Sequence, residues 1–566
     1  MPSRVVWFMP ILAGICILAG CTTAPKSRAA GGGTNGTSAS MVGPERESPE
    51  QAERRAEAHA HFLAALSADL NNENERAEQE FEKALEGDPK HETLALELSR
   101  RFIQRKELER AAAILKKATD VPQPSAAVLS RLGFVYLQMG KTNEAISANR
   151  SAIKKQPTSI AGYQSLYTFY RQSGQTNESK QVLEEAAKQK KVDAAFLVDL
   201  ATLFMLEDAP KKPTTNNLVS ARARDALNRA AAMDPTNIFV LQKLAQGFRL
   251  AGESQKASEV YGKLVKQFPD SAGLREELVE MLLRSNNPKA ASEQLEAITR
   301  ENPTNPQAYY YLGAIAYDEQ RYADAVENYR KALLLKPDFE QVYYDIAAAK
   351  IAMNEARDAL DYLRQARRQF KQTFTGEFFS AVSYVRLKEF TNAVAHFNTA
   401  EIVASGTDSN RLNHTFYFQF GSACERAGKI PEAEKYFEKS LQLSPDFAEA
   451  LNYFGYMWAE RGTNLDHARK MIERAVSLQP TNAAYLDSLG WVLFKQGNAR
   501  EALPQIEKAI ELNKEADATL FDHLGDIHAA LNHHDKAREA WKKAIEIEPS
   551  PQIEDKLKSA KPGGGT

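Results

Sequence analysis

Few side chains in this sequence are placed to do chemistry together. Asp522, His523 and Asp526 fall within one helical turn, and Asp522 and Asp526 would share a helix face. Such a trio could relay a proton or hold a cation, yet acidic residues on a solvated helix face are ordinary. His533-His534 sits in a turn with no further ligand at metal-like spacing. No glycine-rich phosphate loop, nucleophile elbow or HExxH helix occurs. The three cysteines are Cys16, Cys21 and Cys424. Cys424 occupies an apolar register and reads as a small hydrophobe of the core. The reading is therefore no catalytic residue, no metal and no cofactor, with function resting on binding.

The elements that would carry these residues repeat. A spacing of 34 residues recurs from about residue 58 to residue 551. One unit reads Tyr309-Tyr310-Tyr311-Leu312-Gly313, then Ala325, Tyr329, Ala332 and Pro337; another reads Leu524-Gly525, Ala537, Trp541, Ala544 and Pro549. This resembles the tetratricopeptide repeat, whose 34-residue pattern is W-x2-L-G-x2-Y, then A-x3-F, then P. The resemblance implies an all-α fold, an α-solenoid wound as a right-handed superhelix of about 14 helical hairpins. Small residues explain the helix crossings: Gly133, Gly313, Gly421, Gly455, Gly490 and Gly525 on the first helix, and alanines such as Ala77, Ala325 and Ala537 on the second. The large residue four further on (Tyr329, Phe397, Phe437, Trp541) is expected to knob into the neighbouring hairpin. Prolines such as Pro337 and Pro549 end second helices, because proline cannot continue them.

Two stretches depart from the repeat. Glu207 to Leu218 is an insertion inside repeat five, and Ser405 to Asn413 is a polar stretch before repeat eleven. The expected sub-arrays are 51–235, 236–404 and 405–550, followed by a disordered tail over 551–566.

The N-terminus carries Arg4 and then the apolar run VVWFMPILAGICILAG, too short and too interrupted to span a bilayer well. It has the length of a signal-peptide core. Leu18-Ala19-Gly20-Cys21 follows at once and is similar to a bacterial lipobox. The resemblance implies removal of residues 1–20 as a signal peptide and acylation of Cys21, several acyl chains giving firm anchorage where one would be marginal. Thr22 in place of Asp implies, by the Gram-negative sorting rule, an outer-membrane position facing the periplasm. Residues 22–50 are rich in Ala, Gly, Ser and Thr, so 21–50 reads as a lipidated cysteine plus a tether of about 30 Å mean span.

Charge does not select a partner. The 72 basic and 74 acidic side chains give a net charge of −2, with no block of one sign. A nucleic-acid footprint is therefore excluded. In the resembled family the inner wall comes from helix A, at repeat positions 2, 5, 9, 12 and 13. Its carboxylate clamp needs Lys and Asn at positions 5 and 9, but these read Ser130/Phe134, Gln242/Gln246 and Asp487/Trp491. What the wall offers is aromatic: Tyr310, Tyr344, Phe378 and Phe418 at position 5 of four successive repeats, then Tyr456 and Trp491 at position 9. These six rings are the candidate ligand groove; the same rings could equally be core. The expected role is a membrane-anchored scaffold for protein or peptide partners in envelope assembly, secretion or biogenesis. The alternative is a polysaccharide-binding or exopolysaccharide-export component that stacks sugars on the rings.

Overall fold

The computed structural model describes residues 48–208 and 219–559. The lipobox with Cys21, most of the insertion and the last seven residues lie outside that range. Among the described residues the chain forms 29 α-helices and no strand. They pair into fourteen antiparallel hairpins, from α1 (Pro49–Leu70) with α2 (Asn74–Gly87) to α27 (Ala518–Ala530) with α28 (His534–Ile547), and one helix is left over. The chain is an α-solenoid.

Two compact units make up the array. The first holds the described residues up to Pro157 together with Ala161–Ser173, and the second holds Thr158–Ile160 and everything from Gly174 on. The expected sub-array boundaries at 235 and 404 both lie inside the second unit. At 405–413 the packing continues: the helix Phe390–Thr407 overruns the repeat frame, a 3-10 turn follows at Ser409–Arg411, and Phe397 meets Phe416 edge-on at 5.8 Å.

Thirteen of the fourteen hairpins are closed by the same device. At the end of the first helix one residue adopts the left-handed conformation, at 34- or 35-residue intervals through most of the array. Glycine fills the place at 140, 174, 252, 428, 462 and 497, and asparagine at 72, 286, 354 and 532. Lys106, Gln320 and Lys388 occupy it elsewhere, with φ of 63°, 62° and 59°. The kink lets two consecutive amides turn back onto the ending helix: Gln320 N–H donates to Tyr317 O at 2.9 Å and Arg321 N–H to Ala316 O at 2.8 Å. This satisfies carbonyls that would otherwise be orphaned. First helices begin as deliberately. Asn305 accepts from the amides of Gln307 and Ala308 at 3.0 and 3.1 Å, and Pro306 takes the first helical position, where a missing N–H costs nothing.

The glycine slots sharpen the packing rule. A Cβ on Gly313 would lie 2.6 Å from the ring of Tyr329, and one on Gly525 would lie 2.4 Å from the Trp541 indole. The large residue of the second helix thus covers the glycine of its own hairpin, rather than only knobbing into the neighbour. Gly247 shows the inter-hairpin version, its Cβ position 2.6 Å from Leu227 of the preceding repeat. Gly133 faces Asn149, which is fully buried and bonds the Ala145 carbonyl at 2.9 Å.

The tail expectation needs correction. Residues Pro551–Ser559 form helix α29, not a disordered tail, and bury Ile553 beside Ala518, Ala537, Trp541 and Ala544. The short helix covers the apolar face of hairpin α27–α28 with one buried isoleucine. Lys556 fixes it in place, donating to both oxygens of Asp522 at 2.8 and 2.9 Å and to Asp526 at 2.7 Å.

Candidate partner-binding surface

The six aromatic residues of the candidate groove sit on first helices: Tyr310 on α15 (Pro306–Asp318), Tyr344 on α17 (Glu340–Ala352), Phe378 on α19 (Phe374–Arg386), Phe418 on α21 (His414–Arg426), Tyr456 on α23 (Ala448–Arg461) and Trp491 on α25 (Ala483–Lys495). The position-5 rings share a role. Each closes on the start of the next first helix. Tyr310 packs 5.0 Å from Phe339, the residue heading α17. Tyr344 donates to Glu340 at 2.8 Å and receives the Thr373 hydroxyl, at the head of α19, at 2.9 Å. Phe378 stacks on Phe374 at 5.6 Å and reaches Phe416 near the start of α21. Phe418 meets Phe447, heading α23, at 5.4 Å.

Burial follows from this packing. Tyr344 is 5% exposed and Trp491 7%, while Tyr310, Phe378, Phe418 and Tyr456 are half-buried against the core. Burial pushes the Tyr344 phenol up to about 12. It also raises that of Tyr456, helped by the charges of Glu460 and Asp487. The stripe therefore works as mortar between hairpins, and four of its six rings keep part of their surface in solvent.

The acidic trio resolves into two separate contacts. His523 is buried, its Nδ1 2.8 Å from Asp487 Oδ1, and its ring stacks on Trp491 at 3.9 Å. Asp522 and Asp526 bind Lys556 of the capping helix, and Asp526 also accepts the Trp541 indole N–H at 3.2 Å. These side chains hold repeats together. His533 lies 3.3 Å from the buried His528, whose pKa is lowered by burial and by the neighbouring His533. No group of three or more His, Cys, Asp or Glu able to hold a metal occurs among the described residues. Burial pushes the Cys424 thiol up to about 12, so it is chemically inert in the fold.

Open inner-wall positions lie elsewhere. Leu66 and Phe134 at position 9, and Leu70, Leu206 and Leu250 at position 13, are large apolar side chains left exposed. The sequence pattern could have flagged them, since they share the register of the aromatic stripe, but leucines attract less notice than a run of rings. Between α11 (Ile238–Leu250) and α13 (Ala272–Arg284) the wall opens into a cleft of about 660 Å³. Gln242 and Gln246, at positions 5 and 9, line it beside Ile238, Leu274 and Phe268. Arg249 reaches across to Glu277 at 3.8 Å, and the Tyr261 phenol is pushed up to about 12 by burial and by Glu277. Two amides, an ion pair and apolar walls can hold an extended peptide: the amides match backbone groups and the walls take a side chain.

Comparison with known proteins bears on the repeat. Models of the tetratricopeptide repeat match residues 239–271, 278–338, 344–409, 414–447, 482–516 and 518–551, so these segments are tetratricopeptide repeats. The chain is 28% identical over 138 residues to the cellulose synthase operon protein C of Pseudomonas fluorescens, covering 24% of this chain and 11% of that protein. It is 24% identical over 189 residues to the peroxisomal targeting signal receptor of Eremothecium gossypii, covering 33% and 32%. The chain thus spans a third or less of the curated relatives' own lengths. Among solved structures, the APC/C hetero-tetramer Cut9–Hcn1 aligns over 90% of this chain and 97% of that one, at 16% identity and a TM-score of 0.37. YrrB, described as a tetratricopeptide-repeat protein with an unusual peptide-binding site, aligns over 38% and 100% at 21% identity and a TM-score of 0.30.

Proposed function

We propose that this chain is a lipid-anchored scaffold that gathers protein or peptide partners at a bacterial envelope membrane, in assembly, secretion or biogenesis. Tetratricopeptide repeats are interaction modules, and models of the repeat match six segments between residues 239 and 551. The observation that carries the reading is the cleft of repeats six and seven, where Gln242, Gln246 and Arg249 meet apolar walls at inner-wall positions. The lipobox-like Leu18-Ala19-Gly20-Cys21 supports the anchor, and Thr22 supports the outer membrane facing the periplasm. No helix among the described residues is long and apolar enough to cross a membrane.

The test has two arms. Metabolic labelling with palmitate should mark the full chain and not Cys21→Ser; equal labelling sinks the anchor. Tagged full chain should retain envelope proteins that Gln242→Ala/Gln246→Ala loses without a change in melting temperature. Retention unchanged by that pair places binding away from the cleft.

A polysaccharide-binding or export role is the second reading, favoured by the likeness to the cellulose synthase operon protein. Sugar stacking needs open ring faces, and the closure of Tyr344 and Trp491 into the core weighs toward peptide. Retention of the chain on insoluble cellulose would reverse that preference.

A further inference from the structure

Helix α1 is built for more than its own hairpin. First helices elsewhere run 13 or 14 residues, whereas α1 runs 22, from Pro49 to Leu70. The extra turns are deliberate: Ser48 and Gln51 form a reciprocal capping box that pins the start at Ser48. The hairpin does not account for them, since α2 ends at Gly87, opposite Arg54 and Ala58. Ala58, Ala65 and Ala68 face the hairpin and are buried.

A second stripe on α1 is exposed. Ala52, Ala56, His59, Leu63, Leu66 and Leu70 follow one another at intervals of four and three. That spacing is the seam of a coiled coil. Leu63 is 65% exposed and Leu70 85%. Three leucines in line on open surface are uncommon in a monomer.

The order of residue sizes says what covers them. Two alanines open the stripe and three leucines close it, with His59 between them. Turned antiparallel on itself, the helix sets Ala52 against Leu70, Ala56 against Leu66 and His59 against Leu63. All three pairs are centred on residue 61, as a two-fold axis requires. Large meets small in the Ala52/Leu70 and Ala56/Leu66 layers, the condition for close packing without overlap, and His59 meets Leu63 beside the axis. A parallel pairing would instead stack leucine on leucine at one end and leave alanines facing a gap at the other.

We infer that α1 is a self-association helix, and that two copies of the chain pair antiparallel through Ala52 to Leu70. The full chain in non-ionic detergent should sediment at twice the chain mass. Leu63→Glu/Leu70→Glu should return it to one chain mass with its melting temperature unchanged. Under mild oxidation His59→Cys/Leu63→Cys should run as a disulfide-linked dimer, whereas Leu66→Cys alone should not, because its copies sit opposite Ala56. A single-chain mass at every soluble concentration overturns the inference. So does a dimer that survives the glutamates, an early-melting glutamate variant, or efficient cross-linking of Leu66→Cys, which signals parallel pairing.

Discussion

Replacing a glycine by alanine inside a helix ordinarily stabilises it, by about 1 kcal/mol, because glycine carries the greater backbone entropy in the unfolded chain. Gly313 and Gly262 should respond with opposite signs. Gly262, on the second helix of repeat six (Ser254–Gln267), has nothing within 4 Å of the position a Cβ would take. Gly262→Ala should therefore raise stability by about 0.5–1 kcal/mol. At Gly313 the new methyl would sit 2.6 Å from two ring carbons of Tyr329 and 3.0 Å from a third. Ordinary contact begins near 3.4 Å, so the ring must retreat by most of an ångström. It has nowhere to go: Tyr329 is 1% exposed and wedged between Tyr310 and the helix pair. Overpacking of this kind costs about 1–3 kcal/mol, which outweighs the propensity gain. The two variants should differ by roughly 2 kcal/mol in urea denaturation followed by circular dichroism, with Gly313→Ala the weaker. Adding Tyr329→Leu to Gly313→Ala should recover part of the loss, since Leu227 already serves Gly247 in that way. Equal stabilisation by both alanines would refute the slot assignment outright.

Other expectations are as direct. Lys388→Gly should stabilise by about 1 kcal/mol, because the left-handed turn strains a side chain with a Cβ; an unchanged or lower urea midpoint goes against it. Lys556→Met should cost roughly 1–3 kcal/mol, less than a fully buried pair would, by leaving Asp522 and Asp526 facing one another. Limited proteolysis should then clip α29, and an intact tail would argue that the lysine is dispensable. His528 has a lowered pKa in the fold, so the unfolded chain takes up a proton at higher pH than the folded one. Its contribution is complete above the ordinary histidine value near 6.5 and is lost as pH falls below it. Melting temperature should climb from about pH 5.5 to 7, and more shallowly in His528→Gln.

How much of this was legible in advance depended on period and not on residue type. The 34-residue spacing located all fourteen hairpins because alanine, glycine and proline mark crossings and ends with little ambiguity. The tail was misread because a nine-residue segment has too few apolar residues to announce itself. Only the uncovered face of the last hairpin makes Ile553 a core residue. The aromatic stripe follows one register, yet register alone does not say whether a ring faces groove or neighbour. That depends on the residue heading the next helix, Phe339 for Tyr310 and Phe447 for Phe418, which lies outside the period used to find the stripe. The cleft at Gln242 and Gln246 was visible as two amides and had no aromatic to draw the eye.

The left-handed turns make the array uneven in a way its repeated outline hides. Thirteen hairpins use one backbone shape, but where that shape falls on Lys106, Gln320 or Lys388 it carries a local strain that glycine avoids. A solenoid held by nearest neighbours opens at its weakest links. Turn composition therefore writes an opening sequence along the chain, with repeats two, eight and ten the first to breathe and the glycine-turned repeats eleven to thirteen among the last. Evolution could retune the stiffness of any one segment by a single codon at a solvent-facing turn, leaving the inner wall untouched.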